Sequence, residues 1–303
     1  MPVLDIVLLL ALSAIWGSSF IFIRYLAPII GPLATADLRM LLAGIALAVF
    51  FVAARVPADW KKNVRHYLVI GLLNSAIPFA LYSAAALVLP AAMEAIFNSL
   101  SPMFGAVFGA LWLGERLTGR KVAGLVLGVG GVAAMSSLGG LRADAATALA
   151  VAGCVVAPLC YGLAGVYIRT RAAGIRPLAV AGGSQLLGGL ALLPFAAAFP
   201  PPVSTLDART VALVVAFALL CSAVAYIIYY RLIADVGPTR ALTVTFLIPV
   251  FAMGWGFLFL REPVTGSMAG GAALVLAGTF LVAVRPRARD GAGRDDSRVV
   301  RAR

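Results

Sequence analysis

Glu94 and Asn98 stand four residues apart inside an otherwise apolar run, so on a helix they share one face and present a carboxyl beside a carboxamide. Three chemistries are open to Glu94 there: a neutral, proton-binding acid in a low-dielectric cavity, a carboxylate paired with an arginine or a solute ammonium, or a side chain snorkelling to the outer headgroups. Asn74 and Tyr82 are eight residues apart, about two helical turns, and Trp16, Tyr226 and Trp255 add further rings and polar tips. Such groups hold an amphipathic solute in an apolar cavity, although aromatic residues also anchor helices at membrane interfaces. Asp37 and Arg39, two residues apart, face different sides of a helix and form no assumed pair. Arg39 is open to three readings: an interhelical contact, solute binding, or snorkelling to the headgroups.

None of this chemistry is covalent. The sequence has no phosphate-binding glycine–lysine loop, no metal-ligand cluster and no Ser–His–Asp arrangement, so it reads as no enzyme, with no cofactor and no metal. Cys154, Cys160 and Cys221 lie inside apolar runs as packing residues, and His66 follows Lys61, Lys62 and Arg65 at a surface edge.

The elements that position these residues follow from composition. Of 303 residues, 62% are hydrophobic and only 12% charged, and the mean hydropathy is +1.03. A soluble domain is about 45–50% apolar and about 25% charged, so a water-soluble globule cannot hide this much apolar surface. The net charge of +12 is distributed between apolar runs and in the tail, which argues against a nucleic-acid partner. Membrane lipids are the expected surroundings. An apolar exterior is what lipid contact requires, so a homodimer is compatible with the sequence without being implied by it.

A helix crosses the hydrocarbon core with about 20 residues. Ten apolar runs meet that length, near 4–23, 33–54, 66–86, 90–113, 118–137, 146–168, 177–199, 209–230, 239–260 and 265–284. The first run has no cleavage site and reads as a retained span. Pro102 and Pro249 fall within the fourth and ninth runs, where a missing amide donor kinks the helix and frees a carbonyl. With a cytoplasmic amino terminus, the inside segments carry 19 Lys and Arg and the outside loops four. That bias places both termini in the cytoplasm. Residues 285–303, with seven Arg, read as a disordered basic cytoplasmic tail.

The chain is duplicated. Residues 97–135 and 244–282 align at an offset of 147 with twelve identities in 39 positions, including Pro102/Pro249, Gly109/Gly256, Glu115/Glu262 and Thr118/Thr265. Tyr82 and Tyr229 agree at the same offset, which draws Tyr229 into the cavity set. Earlier in each half the offset is 145, matching Gly17 with Gly162, Arg24 with Arg169 and Gly44 with Gly189. The repeats are 4–137 and 146–284, each with five spans, and an odd number inverts the second copy. The expected fold is an all-α integral membrane protein of ten transmembrane helices in two inverted five-helix repeats. Glu115 and Glu262 then lie on opposite membrane sides, as loop hydrogen-bonding or gating residues, with Thr118 and Thr265 capping the next helices.

Trp16-Gly17-Ser18-Ser19-Phe20 in the first span, Arg39 in the second, Pro102 with Leu113-Gly114-Glu115-Arg116-Leu117, and Pro249 with Leu260-Arg261-Glu262-Pro263-Val264-Thr265 resemble the drug/metabolite transporter superfamily. The resemblance is to its bacterial ten-helix branch with two EamA domains, and it covers residues 4–284. It implies a secondary carrier of a small organic solute in the inner membrane, often an exporter of amino acids or related metabolites, working by alternating access with or without proton exchange. A drug or nucleoside exporter is the alternative within transport, and a non-transporting membrane interaction protein the alternative outside it. The family's cavity helices favour Trp16, Ser19, Asn74, Tyr82, Glu94, Asn98, Tyr161, Tyr226, Tyr229 and Trp255 as lining residues. Arg39 matches the family's second-span arginine and, with Pro102, Glu115, Pro249 and Glu262, belongs to a structural or gating set.

Overall fold

The computed structural model describes residues 2–138, 144–241 and 243–283, and every regular element among them is helical. The runs are α1 (Val3–Ile30), α2 (Pro32–Ala53), α3 (Trp60–Ala85), α4 (Ala91–Leu113), α5 (Gly119–Leu138), α6 (Ala145–Arg171), α7 (Pro177–Ala198), α8 (Ala208–Val236), α9 (Val244–Leu260) and α10 (Gly266–Ala283). Eight of them are long and apolar enough to cross a membrane. Val244–Leu260 is a shorter apolar helix. Among the described residues eight helices thus meet the length and apolarity of a span, and the expected count of ten is not reached by that measure. The basic tail expected at 285–303 lies outside the described residues.

Local chemistry explains where the helices stop. Gly31, at φ 86°, ends α1 and is followed by Pro32 at the first position of α2. Asp144 and Asp207 cap α6 and α8 by accepting the amides of Thr147 and Thr210 at 2.8 and 2.7 Å. α3 begins six residues before the expected run, because Trp60 to Arg65 form amphipathic turns that keep Lys61, Lys62 and Arg65 exposed while Tyr67 is buried. Thr118 and Thr265 accept the amides of Lys121 and Met268, at 3.4 and 3.2 Å, at the starts of α5 and α10.

The duplication is visible in the packing. α5 lies against α10 and α2 against α7, while α1 packs along α9 as α6 packs along α4. A Cβ on Gly44 would stand 2.6 Å from the backbone of Leu186, and one on Gly189 would stand 2.7 Å from the side chain of Leu41. Both the glycines and the leucines are 145 residues apart, so the two contacts exchange under the repeat operation. On the other face Gly124 meets Gly278 and Gly131 meets Gly271, again exchanged at the 147 offset. Equivalent helices therefore run antiparallel at close range, the packing that small residues permit in lipid.

Candidate functional site

The polar centre is built on two irregular turns. α3 contains a π-helical turn at Leu72–Ala76 and α8 one at Leu219–Val224, at equivalent places in the two repeats. Wider turns of this kind expose backbone and re-aim side chains, and they concentrate at functional sites. Each presents a buried serine, Ser75 or Ser222, and each serine receives a long polar side chain from α2 or α7. Arg39 Nε donates to Ser222 Oγ at 2.9 Å, and its Nη2 reaches the Cys221 carbonyl at 3.5 Å. The guanidinium lies between two rings, with Cζ 3.9 Å from the centroid of Phe79 and 4.6 Å from that of Phe217. Gln185 Nε2 donates to Ser75 Oγ at 3.1 Å and to the Tyr226 hydroxyl at 3.3 Å, and its Oε1 is buried with no partner. Asp37 makes no ion pair with Arg39.

Sequence reasoning singled out neither Gln185 nor the two serines. The signal was present, since Ser75 and Ser222 are 147 residues apart, but a serine in an apolar run is unremarkable until a partner reaches it.

Beside this centre Trp16 packs on Tyr226 and Tyr229, with centroids 6.3 and 5.2 Å apart, and Tyr230 stacks on Tyr226 and meets Tyr229 at a tilt. Ser19 is buried, and its neighbour Ser18 meets the Cys221 thiol at 3.7 Å. Tyr161 lies within electrostatic reach of Arg39 and Tyr226. Asn74 is half-buried on the same π turn as Ser75, and that wider turn shifts its phase relative to Tyr82 from the straight-helix expectation. Tyr82 instead meets Phe20 edge-on at 5.6 Å and donates to Asn98 Oδ1 at 3.4 Å. Trp255 stands apart from this group: its indole donates to the Ala14 carbonyl at 3.0 Å, and its ring stacks between Phe251 and Phe259 along α9.

Glu94 is completely enclosed, and neither carboxylate oxygen has a hydrogen-bond partner. That burial is incompatible with snorkelling. Arg24 and Glu262 are charged groups within electrostatic reach of it. Pro102 frees the Asn98 carbonyl, which Ser101 Oγ takes at 2.5 Å, and Pro249 frees the equivalent Thr245 carbonyl, which Ser99 Oγ approaches at 3.5 Å. The chain turns at Ser99 and Leu100, just before Pro102, whereas Pro249 lies inside continuous helix.

Glu115 and Glu262 do not enter the centre. Each follows a helix end in which the preceding residue, Gly114 or Arg261, takes positive φ and the Glu amide bonds back six residues, to Gly109 or Gly256, at 3.1 Å. Each carboxylate then crosses to the other repeat. Arg24 pairs with Glu262 at 3.0 Å and Arg169 with Glu115 at 2.7 Å, equivalent ion pairs exchanged between the halves. Glu262 also accepts the Ala91 amide at the start of α4, whereas Glu115 lies just past its end. The two pairs thus lie at opposite ends of α4.

The two ends are packed differently. At the Arg24 end Glu262 Oε2 accepts the Ala91 amide at 3.0 Å, and Arg24 donates to the Ala86 carbonyl. α4 is buried at every position from Ala91 to Phe97, and Phe20 and Ile23 of α1 are buried with it. At the Arg169 end the residues equivalent to Met93 and Ile96, Arg240 and Thr243, are exposed, and the equivalents of Phe20 and Ile23 are the exposed Gly165 and half-buried Ile168. Glu115 has Lys121 at 3.5 Å as its second partner. The Arg169 hydrogen bond holds the Glu115 carboxyl below the usual carboxylate range, so this pair stays ionised at neutral pH.

The model of the EamA-like transporter family matches residues 4–137 and 148–284. A probable amino-acid metabolite efflux pump of Escherichia coli is 26% identical over 91% of this chain and 94% of its own length. A probable terminal-alkyne amino-acid exporter of Streptantibioticus cattleyicolor is 25% identical over 88% of this chain and 89% of its own. An uncharacterised transporter of Bacillus subtilis is 26% identical over 94% and 93%. A solved crystal structure superposes with a TM-score of 0.66 at 18% identity, covering 91% of this chain and 95% of that one, a likeness of fold.

Proposed function

We propose, from the premise that the chain belongs to the EamA-like transporter family, that this secondary transporter of a small organic solute exports an amino acid or related metabolite by alternating access. All ten helical runs cross the membrane in two inverted repeats, the protein resides in a bacterial inner membrane, and both termini face the cytoplasm. The distribution of 19 basic residues inside against four outside supports that orientation. The printed names of the Escherichia coli and Streptantibioticus relatives support the amino-acid class. In this frame the Arg24–Glu262 pair latches the outer gate and the Arg169–Glu115 pair belongs to the inner one.

The observation that carries the reading is the unequal burial of equivalent residues at the two ends. An inverted repeat can exchange the packing of its halves, and a carrier caught in one state shows one end shut and the other open. The complete burial of α4 from Ala91 to Phe97 supports a state shut at the Arg24 end. Single cysteines at Ile96 and Thr243, in a protein with its native cysteines replaced, test this in sealed vesicles. The Thr243 thiol labels with an impermeant maleimide from the cytoplasmic side and the Ile96 thiol does not, and a saturating transported solute changes both rates. Rates that ignore every solute carried by the same vesicles would reject alternating access.

One further observation favours proton exchange. An ionised carboxylate enclosed without a hydrogen bond is costly, so the neutral acid is the form of Glu94 that fits the closed end, and opening that end gives it water and a route to lose the proton. Glu94→Gln then transports without responding to a pH gradient while still inserting. Flux that retains its gradient dependence in this variant would remove the proton role.

A further inference from the structure

Arg39 is a cation in the centre of the protein without an anion. It is 6% exposed, and none of the ion pairs among the described residues includes it. Two of its nitrogens are spent on Ser222 and the Cys221 carbonyl, and two aromatic rings cover its faces. Rings and a hydroxyl orient a guanidinium, but they do not replace the carboxylate or water that balances a buried charge. The third nitrogen, Nη1, has no acceptor among the described residues.

Tyr226 supplies the second donor. Its oxygen accepts the amide of Gln185, so its own proton is directed elsewhere, and it lies within electrostatic reach of Arg39. Ser75 fixes Gln185 in turn, which makes Gln185 a positioning residue for that hydroxyl. Ser222, which holds the Arg39 guanidinium, and Tyr226 stand four residues apart on α8, and Trp16 and Tyr229 pack beside Tyr226, an arrangement suited to an anionic oxygen pair attached to an apolar body.

We propose that Arg39 and Tyr226 bind the carboxylate of the transported solute, so that the carrier selects monocarboxylates with an apolar or aromatic body and rejects their amides. This rests on the transport reading above and adds the group that the site recognises. Arg39 thereby braces α2 against α8 in the empty state and reads the solute in the loaded one.

The test loads proteoliposomes with an equimolar mixture of neutral amino acids, their amides and their methyl esters, and follows efflux of each by mass spectrometry. Wild-type vesicles release the free acids at least tenfold faster than the matched amides and esters. Tyr226→Phe removes one donor and keeps the ring, and it lowers that preference about tenfold, mainly through KM. Arg39→Lys keeps the charge and loses the fork, giving an intermediate preference. Damage to the brace alone would lower all fluxes together and leave the preference intact, and that result, or wild-type release of amides as fast as acids, overturns the proposal. Vesicles that release none of the three classes faster than protein-free vesicles overturn the proposal as well. A tracer-exchange arm with a cell metabolite extract then decides the parent reading: exchange of other solutes keeps transport and removes only the carboxylate site, and no exchange removes both.

Discussion

The Arg24 and Arg169 ends are built from equivalent residues and hold equivalent ion pairs, yet one is buried throughout and the other in part, with Ala241 and Val244 buried but Arg240 and Thr243 exposed. An ion pair that forms in both surroundings does not itself decide which end closes. The difference lies in what surrounds the carboxylate. Glu262 is tied to the first amide of α4 and Arg24 to the last turn of α3, so that pair draws α1, α3, α4 and α9 together. Glu115 finds Lys121 of its own repeat instead, and among the described residues it makes no comparable tie to α8 or α9. The α2–α7 and α5–α10 contacts, by contrast, are the same from either half, and they form the frame against which the ends can differ.

The largest effect comes from removing the tie at the closed end. Glu262→Ala takes the partner from Arg24 and leaves the buried Ala91 amide without an acceptor. The cost is about 2 kcal/mol, discounted for the partial exposure of both side chains. Glu115→Ala breaks a more exposed pair and costs about 0.5 kcal/mol or less. Labelling of a cysteine at Ile96 measures both: the first variant raises its rate strongly and the second hardly at all. Equal rises would mean that the two ends are equivalent latches and that the packing difference has another source.

Much of the frame was readable before any coordinates. The 145 and 147 offsets placed Arg24 opposite Arg169 and Glu115 opposite Glu262, and in the fold those four residues form the two crossed pairs. Apolar length located the helices, though α1 and α8 extend past their expected ends because a helix may continue beyond the hydrocarbon core into the interface. The candidate site was less legible. Trp16, Tyr226 and Tyr229 do cluster, but Trp255 has its indole committed to α1. The π turns of α3 and α8 carry no residue pattern that separates them from ordinary helix, so the meeting of Ser75 with Gln185 and of Ser222 with Arg39 depended on geometry that side-chain spacing does not encode. Glu94 was open to three readings, and only its enclosure removed snorkelling.

A subtler asymmetry is written into the chain itself. The residue equivalent to Ala91 at the 147 offset is Pro238, which has no backbone N–H. When the Arg169 end closes, Glu115 cannot receive the bond that Glu262 takes from Ala91, so the Arg169–Glu115 pair is chemically the poorer tie. That deficit favours the arrangement closed at the Arg24 end. Pro238→Ala restores the missing donor, and a hydrogen bond to a carboxylate at a partly exposed end contributes about 1 kcal/mol, about a fivefold change in the ratio of the two states. Cysteine labelling at Thr243 slows and labelling at Ile96 quickens. Because replacing proline also loosens the backbone, the double variant with Glu115→Leu, whose side chain has no acceptor, is the control: if the shift survives there, the restored amide is not its cause, and if it disappears, the proline is what makes the two ends unequal.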